Sequence, residues 1–105
     1  MEEQIIADGI RLSAVKFEFS GVNILLLKNE NGCGLGCGYL NLAAADKFGH
    51  VLATVSGVNN WEEMLSARVN GVSKAAEKIG ITTGISGLEA LKLMDKADIC
   101  GNGAL

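Results

Sequence analysis

Three turn signals cut the first forty residues into short runs, and they constrain the fold more than any other feature of the chain. Asp8-Gly9 and Ser20-Gly21 are hairpin-type dipeptides, and residues 29–32 form a third cluster rich in Asn and Gly. Such pairs supply the left-handed backbone that tight two-residue loops require. The intervening runs, IRLSAVKFEF and VNILLLKN, carry β-branched and aromatic residues suited to a pleated sheet. Residues 1–40 are therefore expected to form three or four antiparallel strands.

The alternation within these strands is imperfect. Val15, Phe17 and Phe19 fall on one face and Leu12 and Ala14 on the other, while residues 24–27 are apolar on both faces at once. An antiparallel sheet with one wet face alternates cleanly, so this sheet is expected to be covered on both sides. Helices of the same chain can cover one face, and a second copy is the simplest cover for the other. Composition points the same way. At 105 residues the chain is one domain, and 49% hydrophobic against 20% charged residues is an apolar balance for so small a surface.

From residue 41 the period shifts toward helix. A short helix is expected over 42–48 after Asn41, then a strand-like run over 50–58. Asn60 followed by Glu63 reads as a capping box ahead of Trp61, Met64 and Leu65. Val72, Ala75, Ala76 and Ile79 follow the helical i, i+3, i+4, i+7 spacing, stopped by Gly80 with Ile81 placed to touch Ala76. A last helix starts at Ser86, paired with Glu89, and buries Leu88, Leu91 and Met94. The tail CGNGAL has no packing pattern.

Residues 31–41, NGCGLGCGYLN, carry the densest candidate chemistry. If residues 32–38 are extended, Gly32, Gly34, Gly36 and Gly38 share one face and Cys33, Leu35 and Cys37 the other. A bare glycine face means that something approaches closely, either packed protein or a ligand, and packing is the commoner use. Neither register completes G-x-G-x-x-G and no Gly-Lys-Ser or Gly-Lys-Thr occurs, so dinucleotide and Walker-type phosphate loops are excluded. Cys33 and Cys37 on one strand would have Cα atoms roughly 13 Å apart, beyond the ~7 Å reach of a disulfide.

Cys37 ends a strand just before the helix start at Asn41, a setting that suits a nucleophilic thiol as well as a small buried hydrophobe. His50, the one histidine, has no sequence reason to lie near it. Gly84, Ser86 and Gly87 lead into the last helix and suggest an anion site at its N-terminus, although capping alone explains Ser86. The candidate ligand-binding residues are accordingly Gly38, Asn41, Gly84, Ser86 and Gly87, with Cys37 the candidate catalytic residue. No metal site and no cofactor is expected, because His50 and Cys100 are the only other soft ligands and stand at no zinc-like spacing.

A net charge of −3 without basic runs argues against nucleic acid. No apolar run approaches the ~20 residues of a membrane span, and the acidic MEEQIIADG start is unlike a signal peptide. A cytoplasmic protein with reduced thiols is expected.

An ordered set of landmarks then resembles a known family. Cys37-Gly38-Tyr39-Leu40-Asn41, Gly57-Val58, the run AAEKIGI at 75–81 and GISGLEAL at 84–91 are similar to the YunC-like family, domain of unknown function 1805. The likeness extends from about residue 22 to Met94. It implies a small bacterial or archaeal α+β domain whose N-terminal β-region serves in tetramer formation, and it implies no reaction. Cys37, Gly38, Gly84, Ser86 and Gly87 match that pattern, whereas Cys33, Gly34 and Gly36 have no counterpart in it.

The expected protein is thus a single α+β domain over 1–105. An antiparallel sheet in 1–40 serves oligomerisation, a helical part follows over 41–97, and one further strand lies near 50–58. The expected function is that of a homotetrameric binding or assembly module whose small-molecule ligand, if any, is unidentified. The alternative is a small enzyme using Cys37, with an anion held at the Ser86 helix start.

Overall fold

The computed structural model describes residues 2–30, 32–38 and 40–96. Tyr39 and the segment from 97 onward, with Cys100 and the tail, lie outside them. β1 (Glu2–Ala7), β2 (Ile10–Phe19) and β3 (Val22–Lys28) form the expected antiparallel meander. Its first two turns have positive φ at both central residues: 52° and 83° at Asp8-Gly9, and 50° and 82° at Ser20-Gly21. Both loops therefore twist in the sense that brings the flanking strands together. The third turn is held by Asn29, whose Oδ1 accepts from Cys33 N at 2.9 Å while its own N–H donates to Cys33 O at 3.0 Å.

The sheet continues through β4 (Gly34–Cys37), β5 (Leu52–Val55) and β6 (Gly71–Val72), in the spatial order of the sequence. β4 and β5 run parallel, with Leu35 opposite Ala53 and Cys37 opposite Val55. Parallel neighbours need a crossover, and α1 (Leu42–Phe48) provides it. Asn41 caps α1 by accepting from the N–H groups of Ala43 and Ala44, and Gly49 ends it at φ 71°. The sheet is thus mixed, with its antiparallel part N-terminal as the sequence indicates.

α2 (Trp61–Ser66) and α4 (Gly87–Lys96) lie against the face that carries Leu12, Ala14, Leu25, Leu27, Leu35, Ala53 and Val55, all buried. Together with Met64, Leu91 and Met94 these side chains make one core. Fully burying each large apolar side chain is worth roughly 1.5–3 kcal/mol. The opposite face carries the glycines, and α1 covers part of it.

Two helix readings need correction. The stripe beginning at Val72 is not continuous helix. Val72 lies in β6 opposite Ala53, and α3 (Lys74–Lys78) starts only after Ser73, whose Oγ accepts from Ala76 N at 3.2 Å. Its C-terminal end is as expected, with Ile81 N donating to Ala76 O and Gly80 N to Glu77 O. In α4, Leu88 is only half-buried, and Gly87 and Ala90 take its place in the packed face.

Candidate functional site

The glycine ladder divides into two parts. At Gly34 and Gly36 it is a packing surface. A Cβ on Gly36 would lie 2.0 Å from Leu40 Cδ1, and one on Gly34 would lie 3.2 Å from Leu26 Cδ1 and 3.7 Å from Leu52 Cδ1. Leucines of the same chain therefore cover the bare backbone. Gly32 (φ 92°) belongs to the turn instead of the strand, and Gly38 lies past the end of β4 and is exposed.

The two cysteines of the ladder differ in chemical state. Cys33 is fully buried and disulfide-bonded, so the expectation of reduced thiols throughout fails at this position. Cys37 is a free thiol, 6% exposed, on the helix-covered face at the carboxyl end of β4. It opens into a cleft of about 500 Å³ shared with Gly38, Val22, Asn23 and residues 56–59. This cleft sits where two parallel strands end, the position at which open sheets containing parallel strands present ligand crevices.

A polar relay runs along its β5 side. Thr54 Oγ1 donates to Asn70 Oδ1 at 3.0 Å, which fixes the amide so that Asn70 Nδ2 donates to Ser56 Oγ. Ser56 Oγ stands 3.5 Å from where a Gly38 Cβ would be. With its lone pair engaged by Asn70, the Ser56 hydroxyl has its proton available to the cleft. Sequence reasoning missed Ser56 and Asn70. The Ser-Gly pair closing the 50–58 run was the available signal, since it stands beside Cys37-Gly38 once β4 and β5 are paired.

Asn41 and His50 lie elsewhere, in a second cleft of about 330 Å³ between β4 and α1. Asn41 is occupied in capping α1. The His50 ring stacks on Phe48 with centroids 5.8 Å apart, and its backbone N–H donates to Ala45 O at 2.8 Å.

Gly84, Ser86 and Gly87 line neither cleft. Ser86 Oγ accepts from Glu89 N at 3.1 Å, as in a capping box, and Arg68 Nη1 donates to Gly84 O at 2.7 Å. Gly84 N and Gly87 N donate to Val69 O and Ala67 O. Gly87 is buried, and a Cβ there would lie 2.1 Å from Met64 O. Among the described residues, no three His, Cys, Asp or Glu side chains gather as a metal site, and no helix is long and apolar enough to cross a membrane.

A six-stranded mixed sheet with helices on both faces, a free thiol at the end of its parallel pair and a separate cleft under α1 defines a compact α+β domain. Residues 36–94 match the family described as "Domain of unknown function (DUF1805)". The chain is also 32% identical over 96 residues to the uncharacterized protein YunC of Bacillus subtilis (strain 168), covering 88% of this chain and 94% of that protein. Its fold is similar to the crystal structure of a protein of unknown function, TA1206 from Thermoplasma acidophilum. That likeness has a TM-score of 0.81 and 29% identity, over 88% of this chain and 89% of the other. The chain belongs to the DUF1805 family.

Proposed function

We propose that this protein is a cytoplasmic homotetrameric assembly module whose copies meet through the sheet face opposite α2 and α4. One observation carries the reading. The exposed large apolar side chains among the described residues all belong to that face or to the helix lying on it. Ile6 (71% exposed), Phe17 (59%), Phe19 (58%) and Val22 sit on it by strand register, and Phe48 projects from α1. Val15, Ile24 and Leu26 extend the same surface. The neighbouring pairs Val15–Leu26, Phe17–Ile24 and Phe19–Val22 make an apolar patch of the kind that marks an interaction site, and a self-complementary face is the simplest partner for a sheet. It is also the region to which the family resemblance assigns tetramer formation. The test is the oligomeric state of the wild type and of Phe17→Asp. A tetramer that the substitution dissociates into folded monomers supports the reading, and a monomeric wild type at micromolar concentration overturns it.

A second reading rests on the Cys37 cleft: an enzyme in which the Cys37 thiol is the nucleophile and the Ser56 hydroxyl hydrogen-bonds an oxygen of the substrate. It predicts that iodoacetamide modifies Cys37 in the native protein at neutral pH, read by peptide mass mapping. Modification only after denaturation removes its central residue.

A further inference from the structure

We infer that the cleft between β4 and α1 binds a small amphipathic carboxylate, one carboxyl group on a short apolar body. The cleft shares Leu26 and Phe48 with the edge of the proposed assembly face, and its own lining carries the inference. Leu26, Leu40 and Leu52 make the apolar lining on the sheet side, with Gly34 lying between Leu26 and Leu52. Ala44, Ala45 and the ring of Phe48 form the α1 wall, and their small or flat shapes keep the cleft open at about 330 Å³, within the usual range for small-molecule sites. Such sites combine apolar walls with a few placed polar groups.

Among the described residues its polar lining is Asn41, His50 and one charged side chain, Lys28. Lys28 lines the cleft and His50 stands at Phe48, while Lys47 Nζ lies 5.8 Å from the centroid of the Phe48 ring. Among the described residues no carboxylate lines it. The nearest on α1, Asp46, is engaged with α3, where it accepts from Lys74 N at 2.7 Å. On a chain of net charge −3, an apolar cleft whose described lining holds a lysine and no carboxylate favours an anion. One lining ammonium and no guanidinium suit a singly charged carboxylate better than a phosphate, which recruits several donors.

The probe is octanoate, titrated into the ¹⁵N-labelled full chain and compared with octanol, its neutral counterpart. Saturable amide shifts are expected at Gly34, Ala44, Val51 and Leu52, with octanol binding more weakly by up to about five-fold, as loss of one exposed charge contact implies. Lys28→Gln should weaken octanoate to about the octanol level, and Lys28→Arg should restore it. Ala44→Trp, at an exposed helix position, should abolish the shifts while changing the melting temperature by no more than about 2–4 °C. The inference is overturned by equal affinity for octanol and octanoate, by shifts centred on Phe17, Phe19 and Val22, or by no saturable shift at millimolar octanoate. The second of these outcomes would place the apolar probe on the proposed assembly face.

Discussion

Replacing three glycines by alanine, one at a time, tests whether the close approaches at the sheet are real, and the expected order follows from what each new methyl group would meet. At Gly87 the Cβ would lie 2.1 Å from Met64 O and 2.8 Å from Leu35 Cδ2. The first is backbone and the second a fully buried side chain, so α4 must move away from α2 and the sheet. Overpacking of this sort costs about 1–3 kcal/mol, and displaced backbone puts Gly87→Ala at the upper end, about 3 kcal/mol. At Gly36 the obstacle is the tip of Leu40, half-buried at the edge of an open cleft, and a rotamer change relieves it for about 1 kcal/mol. At Gly38 the nearest atom is Ser56 Oγ at 3.5 Å, an ordinary contact, so the effect should stay within about 0.5 kcal/mol. For a chain of this length 1 kcal/mol moves the melting midpoint by roughly 4–8 °C, so Gly87→Ala should lose at least about 12 °C and Gly38→Ala only a few degrees. Thermal denaturation followed by circular dichroism at one fixed protein concentration reads the series. A Gly87→Ala protein as stable as wild type, or a Gly38→Ala protein less stable than Gly87→Ala, would refute the packing account.

Ser73→Ala should destabilise by about 2–4 kcal/mol in urea denaturation, because one buried hydroxyl caps α3, accepts from Leu52 N at 3.0 Å and donates to His50 O at 2.7 Å. A loss confined to an ordinary exposed cap, under about 1 kcal/mol, would contradict that role. Lys92 Nζ lies 2.7 Å from Asp8 Oδ2, and the hydrogen bond and charge of Asp8 raise the lysine above its ordinary 10.5. Since the folded value is the higher one, the contribution of this pair is present at neutral pH and declines only as pH rises through the raised value. A ¹³C titration should place the Lys92 midpoint above 10.5, and Asp8→Asn should bring it down. A midpoint unchanged by Asp8→Asn would remove the pair from the account.

Much of the architecture is written in local signals. Two-residue turns at Asp8-Gly9 and Ser20-Gly21, caps at Asn41, Asn60 and Ser86, and the Gly80 stop each depend on residues within a few positions of one another, so they can be read in order along the chain. β6 is two residues long and has no period of its own, which is why Val72, at helical spacing from Ala75 and Ala76, looks like part of α3. The parallel pairing of Cys37 with Val55 is a tertiary fact without a local signature. The sites follow the same division. Cys37 at a strand end is legible, but its neighbourhood with Ser56 and Asn70 exists only once β4, β5 and β6 are side by side. Asn41 is legible from its position before a helix, whereas the leucines and Lys28 that surround the cleft near it come from β3, the 37–42 connection and β5. Phe17 and Phe19 show the limit most clearly, since alternation places them on a face and only the fold shows that nothing in the described chain covers it.

Native mass spectrometry of the gently purified wild type beside Phe17→Asp tests the central claim most directly. The account predicts a tetramer for the wild type that persists on dilution, and a folded monomer for the variant with unchanged far-UV circular dichroism. A wild type that is monomeric throughout, with Phe17 solvent-exposed in solution, would contradict it.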